Sequence, residues 1–219
     1  MEKIYQIAID GPAGSGKSTI AKALAKELGI DYIDTGAMYR AFGYKIREKG
    51  IDMHDSAQLD ALLCSTEIDF DRGKTLLDGS DVSSVIRTPE ISMLASECSA
   101  IAEVRKKLVA LQQAMGESKS VVMDGRDIGT VVFPKAKYKF FLTASSEERA
   151  KRRFAELTAK GEKTTFEQVL EEMNQRDHND TTRKVTPLRR ADDALEVDTT
   201  KMSIEEVTEF IISKITEEN

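Results

Sequence analysis

Residues Ile4–Ser18 read IYQIAIDGPAGSGKS, and the fold turns on this stretch. Ile4–Asp10 is short and rich in β-formers, which predicts a buried strand. Gly11-Pro12-Ala13-Gly14-Ser15-Gly16-Lys17-Ser18 matches G-x-x-x-x-G-K-[ST]. Ile20, Leu24 and Leu28 follow at helical spacing, and Gly29 supplies a helix stop. Strand, glycine loop and amphipathic helix, in that order, separate a phosphate-binding loop from a chance glycine-rich turn. The glycines let successive N–H groups turn inward onto phosphate oxygens. The helix N-terminus adds the positive end of its dipole. Lys17 reaches the terminal phosphates as a mobile point charge, and Ser18 offers a hydroxyl to Mg²⁺. Gly11, Pro12, Ala13, Gly14, Ser15, Gly16, Lys17, Ser18 and Thr19 are therefore expected to cradle a nucleoside triphosphate. The loop says nothing of the reaction, because GTPases and motor ATPases share it. The chain has no N-K-x-D guanine-reading signature.

Working outward, Asp31–Asp34 is a second short strand and Thr35–Lys49 returns to helix. Ser120–Asp124, Tyr138–Thr143 and Ala194–Asp198 are further strands. Ser145 with Glu148, and Ser203 with Glu206, fit the S-x-x-E capping box that opens a helix. Strands alternating with helices predict an α/β fold with a mainly parallel sheet covered on both faces. Thr66–Ile86 breaks the rhythm, with alternating stretches around Arg72-Gly73 and Asp78-Gly79 in antiparallel hairpin pattern. Thr88 and Pro89 then open a helix with an Ile91, Leu94, Ala95, Cys98 stripe. A second helix runs through Val104, Leu108, Leu111 and Met115. An α+β insertion of roughly 60–70 residues thus interrupts an α/β core.

Composition narrows the function classes. The chain has 219 residues, enough for one domain with a modest insertion. Hydrophobic residues at 40% and charged residues at 32% exclude wholesale disorder. The net charge of −6 argues against a general nucleic-acid binder, so an anionic ligand must meet basic residues gathered in one site. Cys64 and Cys98, 34 positions apart, form no disulfide scaffold or cysteine zinc site, and Cys98 reads as packed. Met1–Asp10 lacks the pattern of a signal peptide. No apolar run approaches the roughly 20 residues of a membrane span. A cytoplasmic monomer is the default expectation.

Seven of the 13 arginines lie between Arg149 and Arg190: Arg149, Arg152, Arg153, Arg176, Arg183, Arg189 and Arg190. Taken alone, Arg149 reads as part of a solvated helix face beside Glu147 and Glu148. As a group, arginines on a mobile segment suit a kinase, clamping phosphate while closing over it. Lys151–Lys163, with Gly161 and no core stripe after Leu157, reads as such a lid. Asp124-Gly125-Arg126-Asp127 ends a strand, where α/β proteins bind ligands. Asp34-Thr35-Gly36 with Tyr39-Arg40 ends the second strand likewise. Asp34 or Thr35 also suits a helix cap. Arg126 and Arg40 are expected to contact phosphate.

IAIDGPAGSGKST, DTGAMYR, DGRDIGTVVFP, SSEERAKRR and the R-D-x-x-D-x-x-R run Arg176–Arg183 together resemble the nucleoside monophosphate kinases, and among them the bacterial cytidylate kinases. The resemblance covers nearly the whole chain, and DGRDIGTVVFP is its specific part. It implies a P-loop kinase fold with a five-stranded parallel sheet flanked by helices, an α+β monophosphate-binding insertion and an arginine lid. The implied division is core 1–38, insertion 39–117, core 118–148, lid 149–163 and core 164–219. The implied reaction is γ-phosphoryl transfer from ATP, with Mg²⁺, to CMP or dCMP, giving CDP or dCDP and ADP. Thr35, Tyr39, Arg40, Arg126 and Arg183 would surround the acceptor phosphate. Ser96, Arg105 and Asp127 would read the base, while Arg176 and Asp180 would hold the sugar. Lys17, Arg126, Arg153 and Arg183 would act in catalysis, with Arg149 or Arg152 as alternatives to Arg153 from the lid. Asp124 is a candidate to position Mg²⁺ through water. His54 and His178 inherit no role and read as surface residues.

Overall fold

The computed structural model describes residues 4–71 and 73–217; Arg72, part of the first hairpin reading, lies outside the described residues. The chain divides into two units. One holds the residues up to Tyr32 and from Ser120 on; the other is Ile33–Lys119.

The first unit is built on β1 (Gln6–Asp10), β6 (Val121–Gly125), β7 (Tyr138–Thr143) and β8 (Leu195–Asp198). With β2 (Asp31–Asp34) they form a five-stranded parallel sheet in the order β2-β6-β1-β7-β8. Continuous burial of β6 reflects its unbroken VVMDG run between two neighbours. The register pairs Asp10 with Gly125, so β1 and β6 end at one level. The loops that follow them therefore emerge side by side. Helices α1 (Lys17–Leu28) and α8 (Ile204–Glu217) bring Ile20, Leu24, Val207, Ile211 and Ile215 onto Ile7, Ile9, Val122, Phe140, Leu142 and Val197. A second, smaller core joins α6 (Ser146–Ala159) to α7 (Phe166–Thr182) through Ala150, Leu157, Val169 and Met173.

Local chemistry ends these helices much as expected. Gly29 closes α1 in the left-handed region. At α8 the capping box closes both ways: the Glu206 amide donates to Ser203 Oγ, and the Ser203 amide to Glu206 Oε2. At α6 only half of the predicted box forms. Ser145 Oγ accepts from the Glu148 amide, but the Ser145 amide donates to Thr200 Oγ1. A tertiary partner has displaced the local one. The reciprocal box that the sequence reading missed is Thr165 with Gln168, opening α7.

In the second unit, β3 (Ile68–Asp71), β4 (Lys74–Leu77) and β5 (Ser80–Asp81) make the expected antiparallel meander. Around it lie α2 (Thr35–Lys49), α3 (Ser56–Cys64), α4 (Pro89–Cys98) and α5 (Ala102–Ser118). The sequence reading did not include α3. Thr88 caps α4 through the Ile91 amide, with Pro89 at the first position. Helices α2 and α4 approach closely at Gly43, where a Cβ would meet the Ala95 nitrogen at 3.1 Å. The buried face of α5 is Val104, Arg105, Leu108 and Gln112. Val104 and Leu108 of the predicted stripe are buried and Leu111 and Met115 half-buried, with the polar side chains of Arg105 and Gln112 inside beside them. Cys98 is buried as expected.

Candidate active site

After β1, the chain makes a turn that only glycine permits. Gly11 has φ +147°, and a Cβ there would lie 2.0 Å from the Leu142 carbonyl oxygen. Gly14 and Gly16 also sit at positive φ. Lys17 folds back into the loop, with Nζ donating to the Pro12 carbonyl at 2.5 Å and to Ser15 Oγ at 3.3 Å. Burial and the nearby Arg126 guanidinium push the Lys17 ammonium well below its ordinary range, while Asp124 and Asp10 pull it back. Ser18 Oγ donates to Asp124 Oδ2 at 2.8 Å, and Tyr32 Oη donates to Asp124 Oδ1 at 2.7 Å. Asp124 is thus a buried carboxylate held from both sides, on the strand next to the loop.

Beyond β6 the charges interlock. Arg126 Nε donates to Asp180 Oδ2 at 2.7 Å. Arg183 approaches Asp180 at 4.0 Å and Asp127 at 3.8 Å, and its Nε donates to the Thr186 carbonyl. Burial works against the Asp180 carboxylate, yet Arg126, Arg176 and Arg183 hold it below the usual carboxylate range. Burial likewise opposes the Arg126 charge, but Asp180 holds its pKa above the ordinary value. Arg126, Asp127, Asp180 and Arg183, predicted from separate motifs, thus converge; Arg176 is exposed and acts on Lys17 and Asp180 through its field.

The lid arginines divide into two kinds. Arg149 corrects its solvated-face reading: it is 5% exposed and donates to the Ala144 and Ala13 carbonyls. It also forms a 2.6 Å ion pair with Asp177. The reason is tertiary. Met173 and Arg149 pack against Gly14, so the loop covers this face of α6. Arg152 donates to the Thr199 carbonyl at 2.7 Å. Arg153 lies near the surface, paired with Glu156 among the described residues. Arg190 also sits at the surface, paired with Glu196. His54 and His178 are exposed, as expected.

In the second unit, Asp34 rather than Thr35 caps α2, accepting the Ala37 amide at 2.8 Å. The same carboxylate holds Arg40, six residues along, at 2.9 Å. Thr35 is buried at the first helical position. Arg105, 3% exposed, sits 5.4 Å from the Tyr39 ring centre and donates to the Ser99 carbonyl. The Ser96 carbonyl accepts from Ser99 Oγ. Ser96, Tyr39 and Arg105 therefore come from three helices of one unit.

Four residues at the site escaped the motif reading: Asp10, Tyr32, Asp177 and Thr199. Asp10 carried the signal that drew attention to Asp124, a charged residue ending a buried strand. The other three had none, because their roles depend on partners 47 to 184 positions away or, for Asp177, across the α6–α7 contact.

The parallel sheet, the glycine loop and Ser18 bonded to the buried Asp124 carboxylate define a P-loop nucleotide-binding protein. The cytidylate kinase family profile matches residues 7–217. The cytidylate kinase of Caldicellulosiruptor bescii is 53% identical over 216 residues, covering 97% of this chain and 95% of the relative. That of Bacillus subtilis is 48% identical, covering 98% of each. The chain belongs to the cytidylate kinase family, phosphotransferases that act on a nucleoside monophosphate with ATP as donor. Among solved structures, a gluconokinase from Sinorhizobium meliloti aligns with a TM-score of 0.50 at 16% identity, over 98% of this chain and 93% of that one. An uncharacterized protein from Eubacterium ventriosum aligns at 0.54 and 14% identity, over 98% and 99%. These two share the fold. Among the described residues, no helix is long and apolar enough to cross a membrane.

Proposed function

We propose that this chain transfers the γ-phosphoryl group of ATP to CMP or dCMP, with the converging charges as its working parts. The reading is carried by one observation: Lys17 and the Ser18–Asp124 pair follow β1 and α1's start, while Arg126, Asp180 and Arg183 interlock at the equally placed end of β6. Lys17 and the loop amides hold the β- and γ-phosphates. Arg126 and Arg183 neutralise the acceptor phosphate, whose oxygen attacks in line. That oxygen is already ionised near neutral pH, so no side chain needs to act as general base. Arg153, held near the surface by Glu156, is the lid arginine freest to swing onto the transferring group. In this scheme 39–117 carries the monophosphate through Tyr39, Arg40, Ser96 and Arg105, with Thr35 just before it, and 149–163 closes.

The donor set fits Mg²⁺. Ser18 and Asp124 supply hard oxygen ligands beside the loop, and Mg²⁺ takes few protein ligands, filling its shell with water and substrate phosphates. Ser18 and Asp124 would hold the ion, which would supply charge neutralisation to the phosphates. Tyr32 keeps Asp124 oriented toward Ser18. We place the enzyme in the cytoplasm as a monomer. The exposed large apolar side chains Ile4, Val85, Met93, Leu195 and Ile204 lie on separate segments, consistent with the absence of one broad docking patch.

ADP release coupled to a reporter, run with CMP, dCMP, UMP, AMP, shikimate and no acceptor, tests the reading. Fast turnover with CMP and dCMP is expected. A preference for shikimate, or ADP release independent of any acceptor, would overturn it.

A further inference from the structure

Asp10 is the one strongly buried carboxylate beside the site with no part in the scheme above. It ends β1 at 4% exposure. Its Oδ1 accepts from the Ile128 amide at 2.8 Å and its Oδ2 from the Gly129 amide at 2.7 Å. These two amides open the wide helical turn Ile128–Val132, where the first N–H groups have no acceptor inside the turn. The carboxylate of another strand thus caps this turn. Asp127 stands immediately before it, itself outside helical geometry at φ −147° and ψ 25°. The peptide whose N–H Asp10 takes is the one joining Asp127 to Ile128. Gly129 leaves room for the contact, since a Cβ there would lie 3.4 Å from Asp10 Oδ2 and 3.3 Å from Lys139 Cδ.

We propose that Asp10 is a positioning residue for base selection, clamping the Asp127–Ile128 peptide so that the Asp127 carboxylate stays aimed at the acceptor base. This rests on the reading that Asp127 reads the base. A carboxylate is suited to the task because both oxygens accept, and each faces an N–H donor. An asparagine of the same shape must turn its NH₂ toward one of those amides. The ionised form is held at a cost. Burial pushes the Asp10 carboxyl up to about 6, against the pull of the Gly129 and Ile128 amides. Asp127 adds to the rise, and Lys17 opposes it. Lys17 also feels Asp124 on β6, while Lys139 on β7 has its ammonium tied to Pro134 and Asp193. Protonation of Asp10 converts one acceptor oxygen into a hydroxyl facing a donor.

The test compares kcat/KM for CMP and UMP in wild type, Asp10→Asn, Asp127→Ala and the double variant. Asp10→Asn should narrow the CMP:UMP ratio about tenfold, the scale of one charge-assisted hydrogen bond, and leave the KM for ATP nearly unchanged. The double variant should show the ratio of Asp127→Ala alone. If Asp10→Asn lowers CMP and UMP use equally while Asp127→Ala narrows the ratio, Asp10 is merely structural and the proposal fails. If Asp127→Ala leaves the ratio intact, the base reading itself falls and takes the proposal with it. Should Asp10→Asn not fold, the wild type supplies the answer between about pH 7.5 and about pH 5.5. CMP and UMP carry the same phosphate, so its titration cancels in their ratio. The ratio should shrink as Asp10 takes up its proton; a flat ratio would overturn the proposal.

Discussion

Lys17 illustrates how single residues are prepared for charge transfer. Its ammonium is buried among loop carbonyls, with Arg126 and Arg176 close enough to press its pKa down. A triphosphate entering such a site meets positive charge that little water screens. Lys17→Ala should lower kcat by 10²–10³, about 2.7–4 kcal/mol, with an unchanged circular dichroism spectrum. Near-normal turnover would remove the loop from the mechanism. Two of the buried carboxylates, Asp180 and Asp10, pull stability in opposite directions with pH. Asp180 is held below 3.8 in the fold, so its contribution is present above that value and lost as pH falls through the folded one. Asp10 is raised from 3.8 to about 6, so its contribution is full below about 4 and lost as pH rises through 6. Asp180→Ala should therefore flatten the acid limb of a Tm-against-pH curve, and should raise the KM for CMP far more than that for ATP. Equal rises in both constants would count against the sugar assignment.

At the level of elements, α6 emerges as a braced helix rather than a loose flap. Its N-terminal half is anchored by Arg149 to Ala13, Ala144 and Asp177, and by Arg152 to Thr199. Thr199 in turn donates to the Ser15 and Thr143 carbonyls, so β8, β7, α6 and the loop share one joint. In its C-terminal half Leu157 and Phe154 still pack onto α7, while Glu156 and, just past the helix, Lys160 and left-handed Gly161 face solvent. Motion of the 149–163 segment is thus expected to hinge beyond Leu157. Limited proteolysis should cut near Lys160–Lys163 and slow when ATP and CMP analogues are both present; equal cleavage would argue against closure. Arg149→Ala would strand the Asp177 carboxylate, one of whose oxygens is already buried without a hydrogen-bond partner. Unfolding in urea should reveal a loss of about 3 kcal/mol, the low end for breaking a buried pair.

Across the whole molecule, the question is which base the enzyme accepts. Cytosine offers an amino donor beside ring acceptors; uracil offers an oxygen and an N3–H. A carboxylate and a guanidinium match the first pattern and clash with the second, the pairing logic by which Asp accepts from cytosine N4 in DNA grooves. Under the proposed reading, Asp127, 5% exposed, and Arg105, 3% exposed, supply that chemistry. Arg105→Met and Asp127→Ala should each narrow the CMP:UMP preference, mainly through lost CMP activity, as measured by kcat/KM on both substrates. A wild-type enzyme using UMP as well as CMP would refute the assignment. Analytical ultracentrifugation at micromolar protein should give a single species near the 24.3 kDa of one chain.

Short-range chemistry was readable from the residues alone. Gly11–Ser18 could be placed between strand and helix, because glycine freedom, strand composition and helical spacing all act within a few positions. Thr35–Lys49, the Thr88-Pro89 helix start and the Asp78-Gly79 turn were legible for the same reason. Other features depended on partners brought from far along the chain. The Ser145 amide chose Thr200 over its neighbour Glu148, and α5 turned Arg105 and Gln112 inward beside the apolar Val104 and Leu108. Arg149, a surface charge by composition, became a buried brace once Gly14 and Met173 covered it. Asp10 met amides 118 and 119 positions away because β1 and β6 end in register. Periodicity reports which side of an element is apolar. Which polar groups go inside is decided by where an acceptor waits for them, and that is a property of the packed chain.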